Sequence, residues 1–154
     1  MNLSSAYGGV FKVTRVIDGD PFVASGHDAI VKVRLDCVDA PELMRGERSP
    51  GQPFSQTAKD HLEKLVLDKS VNLKAYGLGG FNRPLCEVFI DNSNVNLAMI
   101  NSGLAEVYRG KKQKGFNLGP YLKAEAKAKA SKMGVWSVSD YESPRAYRKK
   151  RRKK

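Results

Sequence analysis

Residues 29–37, Ala-Ile-Val-Lys-Val-Arg-Leu-Asp-Cys, set Ala29, Val31, Val33, Leu35 and Cys37 against Ile30, Lys32, Arg34 and Asp36 in strict alternation. A period of two fits an extended strand, whose successive side chains point to opposite faces, and not a helix, whose faces repeat every 3.6 residues. The preceding segments read the same way. Val10 to Ile17 is rich in β-branched and aromatic residues and breaks at Asp18-Gly19, a dipeptide with hairpin character. Phe22 to Ser25 returns, and Gly26-His27-Asp28 turns the chain into the alternating stretch. This part of the chain predicts three antiparallel strands, with Arg34 and Asp36 sharing the face opposite the core.

Downstream, Pro41, Pro50, Gly51 and Pro53 make residues 40–53 a long polar loop, a kind of segment that more often carries function than structure. Ser55 predicts an N-cap, and Ala58, Leu62, Leu65 and Val66 recur at helical spacing as far as Leu67. Val71 to Ala75 and Leu85 to Asp91 read as two further strands, joined by Gly77-Leu78-Gly79-Gly80. Asn94 is placed to cap a short helix over residues 95–102 that ends at Gly103. Pro120 opens a last helix, rich in Ala and Lys, that stops at Gly134. Five strands followed late by helices favour an α+β fold over a wound parallel sheet, which needs regular strand–helix alternation.

A chain of 154 residues has the length of one domain, and 41% apolar with 28% charged residues suits a soluble globular protein. No apolar run approaches the roughly 20 residues of a membrane span. Met1 to Gly9 lacks the basic start and apolar stretch of a signal peptide. With Met1 as the native start the expectation is a cytoplasmic protein; with Met1 added to a mature chain it is a secreted one. A monomer is expected in either case. Cys37 and Cys86 lie in apolar strand-like segments and are expected as buried, unpaired thiols, and no Cys/His cluster suggests zinc.

The net charge of +11 is unevenly placed: residues 145–154 contain eight Lys and Arg and no acid. Without them 19 basic residues face 16 acidic ones, a net charge of about +3. Such a run predicts a solvated, disordered tail. It reads either as inert or as an electrostatic arm for nucleic acid, where neutralised phosphates release counterions. A nuclear address or an acidic membrane surface would use the same composition.

The candidates for chemistry are charges in three places: Val16-Ile17-Asp18-Gly19-Asp20, the stretch from Val33 to Glu42, and Phe81-Asn82-Arg83-Pro84-Leu85. Asp20 and Asp39 offer hard oxygens for a hard cation. Glu42 offers a base for water, and Arg34 and Arg83 offer planar forks that grip two phosphate oxygens at once. The set suits metal-assisted attack on a phosphodiester. Taken singly, each residue has an ordinary structural reading. Asp18 is turn chemistry, Asp20 and Asp39 are turn or strand-end residues, and Glu42 after Pro41 starts a helical turn. Arg34 pairs with Asp36, and Arg83 sits in a polar link.

The joint spacing resembles the staphylococcal nuclease (thermonuclease) family, whose pattern runs D-G-D-T, then R-L-x-x-x-D-x-P-E, then Y-G-R. The resemblance continues through Val95-Asn96-Leu97, Asn101-Ser102-Gly103-Leu104-Ala105, the Tyr121 to Ala130 stretch and Gly134-Val135-Trp136, and covers roughly residues 10–137. It implies a five-stranded barrel of the oligonucleotide-binding (OB) type with three α-helices. Residues 1–9 would then be an N-terminal extension and residues 138–154 a basic, disordered tail. It further implies Ca²⁺ held by Asp20, Asp39 and the carbonyl of Ala40, Glu42 as general base, and Arg34 and Arg83 as phosphate-binding arginines. The implied activity is hydrolysis of DNA and RNA with little sequence preference, single strands being preferred, to leave 3′-phosphate ends.

Several positions depart from the pattern. Pro21 replaces Thr, Gly79 stands where the family often has Asp, Asn82 replaces Gly, and Phe81 replaces Tyr. Asp36 is an additional acid, read as solvated on the outer face. None of these removes a ligand, the base or a clamp. Tyr108, Arg109, Lys111, Lys112 and Lys114 interleave an aromatic with cations, a pattern that stacks bases and neutralises backbone; a solvated loop is the alternative. His27 and His61 lie outside the motif, and Trp136 reads as a core anchor. The competing function is a non-catalytic OB-type nucleic-acid-binding module, as in repeats of Tudor-staphylococcal-nuclease proteins that have lost site residues. A remoter one is a partner-binding domain delivered to nucleic acid by its tail. Survival of ligands, base and arginines together favours the enzyme.

Overall fold

The computed structural model describes residues 9–153. The expected extension at residues 1–9 therefore lies outside the described residues, except for Gly9. Strand β1 (Gly9–Val16) pairs with β2 (Pro21–Gly26), and β2 with β3 (Ala29–Leu35), all antiparallel. A two-residue strand β4 (Val38–Asp39) follows, and after the long loop β5 (Ser70–Leu78) pairs with β1 and with β6 (Pro84–Ile90). Arg34 and Leu35 then pair in parallel with Leu85 and Cys86, joining β3 to β6 and closing the barrel. Closure removes the open edge that would otherwise invite foreign pairing. Two short strands complete the set: β7 (Ser93–Asn94) extends β6, and β8 (Glu106–Val107) pairs with β4.

Alternation decides which side chains fill the barrel. Val31, Val33 and Leu35 of β3 are buried, as are Val71, Leu73 and Ala75 of β5. In β1 the inward face passes from Phe11 and Val13 to Val16, because a bulge between Val13 and Arg15 shifts the register by one residue. Helix α1 (Ser55–Val66) closes the bottom of the core with Ala58, Leu62 and Val66. Its start differs from expectation. Phe54, with φ 66°, is the N-cap, and its carbonyl accepts from the Ala58 N–H at 2.8 Å, so Ser55 lies inside the helix and buried rather than capping it.

Helix α2 (Val95–Asn101) begins as expected, with the Asn94 carboxamide oxygen accepting from the Leu97 N–H at 2.9 Å. Gly103, with φ +70°, reverses the chain, and its carbonyl accepts from the Val135 N–H at 2.9 Å. A Cβ there would stand 2.3 Å from the Met133 carbonyl oxygen. Helix α3 (Gly119–Ala130) ends four residues before Gly134. Val135 is the buried member of the following turn. Trp136 is half-buried, with its edge on Tyr141 at 5.0 Å and Lys129 over its face at 4.4 Å, so it is a surface bracket and not the expected core anchor.

Two further expectations are corrected. Asp36 is buried, not solvated: β3 stops at Leu35, Cys37 turns with φ 64°, and the Asp36 carboxylate folds back onto the Cys37 N–H at 2.8 Å. The supposedly disordered tail contains helix α4 (Pro144–Arg152), a fourth helix among the described residues. Ser143 Oγ caps it by accepting from the Ala146 N–H at 3.1 Å, and Pro144 sits in the first turn. Tyr147 and Pro144 are buried, and the Arg151 guanidinium stacks on the Tyr147 ring at 3.7 Å. The charged helix can dock because Pro144 and Tyr147, one turn apart, are its buried residues. Cys37 and Cys86 are both buried and unpaired, as expected.

Candidate active site

Two loops and two strand ends meet at one mouth of the barrel. Gly19 packs so closely that an added Cβ would lie 2.6 Å from the Ala40 Cβ and 3.0 Å from the Ala58 Cβ, so the Asp18–Asp20 hairpin sits directly on the segment carrying Asp39 and Ala40. The Ala40 N–H donates to Asp20 Oδ2 at 3.2 Å, and the Leu35 N–H donates to the Asp20 carbonyl at 2.8 Å. Asp39 is fixed by the β4–β8 pair, opposite Glu106. Pro21 enters β2 without disturbing this frame: it faces Arg34 in register, and its carbonyl accepts the Ile17 N–H at 3.1 Å.

Arg34 stands between the two aspartates, its Nη2 3.7 Å from both Asp20 Oδ2 and Asp39 Oδ1, with its guanidinium 5.5 Å from the Tyr108 ring centre. Glu42 is held through its backbone. Its N–H donates to Gln52 Oε1 at 3.0 Å, and its carbonyl accepts from the Gln52 N–H at 2.9 Å. Arg83 donates through Nε to the Gly80 carbonyl at 3.0 Å, beside Phe81, which is 97% exposed. Phe81 and Asn82 both adopt left-handed backbone, with φ 60° and 53°, where the resembled pattern has a glycine in the second place. The strained tip projects an aromatic ring at the cleft mouth. Gly79 is accommodated by packing: a Cβ there would lie 2.9 Å from Leu85 Cδ2.

Asp20, Arg34, Glu42 and Arg83 line a single cleft of about 940 Å³, together with Asp18, Tyr108 and the inner face of α4. Asp39 lies behind them, fully buried, and reaches the cleft through Arg34 and Arg148. The other basic candidates divide. Tyr108 faces the cleft, and Lys111 lines a smaller adjoining pocket with Arg34 and Tyr108. Arg109 instead binds the Glu125 carboxylate and the Val107 carbonyl, so its role is to tie β8 to α3. Lys112 and Lys114 are exposed.

Burial dominates the electrostatics. It pushes the Asp20 carboxyl up to about 7, Arg34 opposing the rise and Asp39 and Asp18 adding to it. Burial also raises Asp18, although the carboxylate accepts the Gly19 N–H at 2.7 Å and pairs with Arg45 at 3.6 Å. Arg83 is lowered by desolvation first and then by the like charge of Arg34. Burial of Asp20, with Asp39 and Asp18 close by, thus outweighs the single opposing charge of Arg34. Among the described residues no group of three or more His, Cys, Asp or Glu side chains is arranged to hold a metal ion. Asp20 and Asp39, on either side of Arg34, are nonetheless two hard carboxylates, a donor type that Ca²⁺ accepts along with backbone carbonyls and water.

Arg148 was not singled out from the sequence. Its Nη1 and Nη2 donate to Asp39 Oδ1 and Oδ2 at 2.8 and 2.9 Å, and Nη1 also donates to Glu42 Oε1 at 2.7 Å. A fork of this kind on one carboxylate is the strongest side-chain pairing available to arginine. The signal that could have found it is Ser143-Pro144, a cap followed by proline, with Tyr147 one turn on as the only large apolar side chain in a charged run.

This closed barrel, with acids and arginines gathered at one mouth, belongs to a class known from relatives. The sequence profile of the staphylococcal nuclease homologues matches residues 32–138. An "Uncharacterized endonuclease" of Haemophilus influenzae is 33% identical over 141 residues, covering 90% of this chain and 72% of that protein. Two proteins named "Probable endonuclease LCL3" are also similar. That of Verticillium alfalfae is 39% identical over 77% of this chain and 44% of its own length, and that of Komagataella phaffii 35% identical over 77% and 54%. The chain belongs to the staphylococcal nuclease family. It spans about half the length of these fungal relatives.

Proposed function

We propose that the protein is a Ca²⁺-dependent nuclease that hydrolyses the phosphodiester bonds of DNA and RNA with little sequence preference. The observation that carries this reading is the cleft itself, onto which Asp20, Glu42, Arg34 and Arg83 open together. Relatives named as endonucleases support it. Asp20, Asp39 and the Ala40 carbonyl would hold Ca²⁺, which supplies charge neutralisation at the phosphate and a more acidic water. Glu42 takes the proton of the attacking water, held in place by its two backbone hydrogen bonds with Gln52. As the water oxygen bonds to phosphorus, the bond to the 5′-oxygen breaks and that oxygen takes a proton from solvent to leave as a 5′-hydroxyl, the phosphate staying on the 3′ side. Arg34 and Arg83, permanently charged, take up the charge that develops on the phosphoryl oxygens. Phe81 and Tyr108 at the mouth are placed to stack unpaired bases, which favours single strands, and Lys111 adds charge along the backbone path.

A second reading, a binding module without turnover, is favoured by one observation: Arg148 occupies the Glu42 carboxylate. Glu42→Gln separates the two. For the enzyme, single-turnover cleavage falls by about 10²–10⁴-fold while affinity for single-stranded DNA stays nearly unchanged. Binding that collapses in parallel contradicts the role of Glu42. A wild-type protein that binds but never cleaves leaves only the module.

A further inference from the structure

Helix α4 and Glu142 just ahead of its cap are tied to the loop that carries Glu42 and to the segment after β8 by three hydrogen bonds. The Gly51 N–H donates to the Tyr147 hydroxyl at 2.9 Å, Gln52 Nε2 donates to the Glu142 carbonyl at 2.8 Å, and Arg145 Nη1 donates to the Arg109 carbonyl at 2.7 Å. Gln52 is the same side chain that fixes the Glu42 backbone. The helix is therefore registered against the site, and Arg148 reaches the carboxylates from a fixed base.

The pairing uses both oxygens of Asp39 and one of Glu42. Asp39 is fully buried, so its charge needs a partner at all times. A guanidinium and a divalent cation on the same carboxylate repel each other strongly at such depth, because little water screens them. The two cannot both hold Asp39 well. Arg34 does not supply a substitute for the fork, since it stands 3.7 Å from each aspartate.

We propose that Arg148 is the site's internal counter-ion, competing with the divalent cation for Asp39 and holding Glu42 out of use until the cation displaces it. The proposal rests on the reading of Asp20 and Asp39 as cation ligands. It makes α4 a regulator of that site: cation binding and Arg148 docking oppose each other, and by linkage each weakens the other to the same degree. The released fork has an immediate new partner in the phosphate chain of a substrate lying in the same cleft.

Calorimetric titration of Ca²⁺ into the full chain, without nucleic acid and at neutral pH, tests it directly. Arg148→Gln is expected to bind Ca²⁺ at least about tenfold more tightly than wild type. Arg152→Gln removes the same charge from the same helix without touching Asp39, and is expected to shift affinity less than about fivefold. Arg148→Lys keeps the charge but not the fork and should fall between wild type and Arg148→Gln. Equal Ca²⁺ affinity in wild type and Arg148→Gln overturns the competition while the Ca²⁺ site stands. Absence of Ca²⁺ binding in all variants overturns both. If a melting curve shows Arg148→Gln unfolded, the Arg148→Lys shift decides alone: tighter binding supports the proposal, and unchanged binding refutes it.

Discussion

Asp20 shows how far a single residue departs from its free behaviour here. Its carboxyl is raised from 3.8 to about 7, burial being the main cause, so the fold prefers the neutral form. For a raised carboxyl the favourable contribution is complete below the unfolded value and is lost as pH climbs through the folded one. In a chelator, Asp20→Asn should therefore be more stable than wild type above about pH 7, by up to about 4 kcal/mol, and the gap should close towards pH 4. Urea unfolding across that range measures it; a constant gap contradicts the assigned shift. Ca²⁺ affinity of the wild type should rise over the same interval, because the ligand must be ionised to bind. At this scale the gathering of Asp20, Arg34, Glu42 and Arg83 about one cleft, with Asp39 buried behind them, was legible in the sequence, since motif spacing survives without knowledge of packing. Asp36 and Arg148 were not. The first was misplaced because a turn at Cys37 breaks the alternation, and the second because a run of like charge conceals which cation has a partner.

Elements were legible where one face is apolar and the other is not. The strands from β1 to β3, the core of α1 and the Asn94 cap follow from such patterns. Helix α4 followed a weaker one, a Ser-Pro start with a single aromatic anchor, and strand ends that depend on bulges moved by up to three residues. Asn96 illustrates what no pattern reveals. Its Nδ2 donates to the carbonyls of Asp36 at 3.0 Å and Cys86 at 2.9 Å, and its Oδ1 accepts from the Val88 N–H at 3.0 Å, so one buried side chain of α2 pins the end of β3 to β6. Asn96→Ala removes this partner from the Val88 N–H and the Asp36 carbonyl, while the Cys86 carbonyl still accepts from the Asp36 N–H at 2.9 Å, and is expected to cost about 2 kcal/mol or more. Chemical denaturation should show that destabilisation with an unchanged slope. Leu62→Ala in α1, where the side chain is fully buried, should cost about 2–5 kcal/mol by the same measurement.

For the molecule as a whole, charge placement was legible and its docking was not. The parallel β3–β6 seam that closes the barrel joins segments far apart in the chain, Arg34 and Leu35 with Leu85 and Cys86, and only the resemblance to known relatives made it expected. The basic C-terminal run turns out to line the cleft that holds the acids, with Lys149 and Arg152 facing it alongside Arg148. Truncation after Ser143 should therefore weaken binding to single-stranded DNA and flatten its salt dependence, by up to about 0.7 in the log–log slope for each phosphate no longer neutralised. An unchanged slope contradicts a role for the run in holding substrate. Ca²⁺-stimulated cleavage is the measurement that bears most directly on the proposed activity. Purified protein, incubated with single-stranded DNA from neutral to alkaline pH, should cleave it when Ca²⁺ is added, yield 3′-phosphate ends and stop on chelation. Clean, folded protein that gives no Ca²⁺-stimulated product anywhere in that range would contradict it.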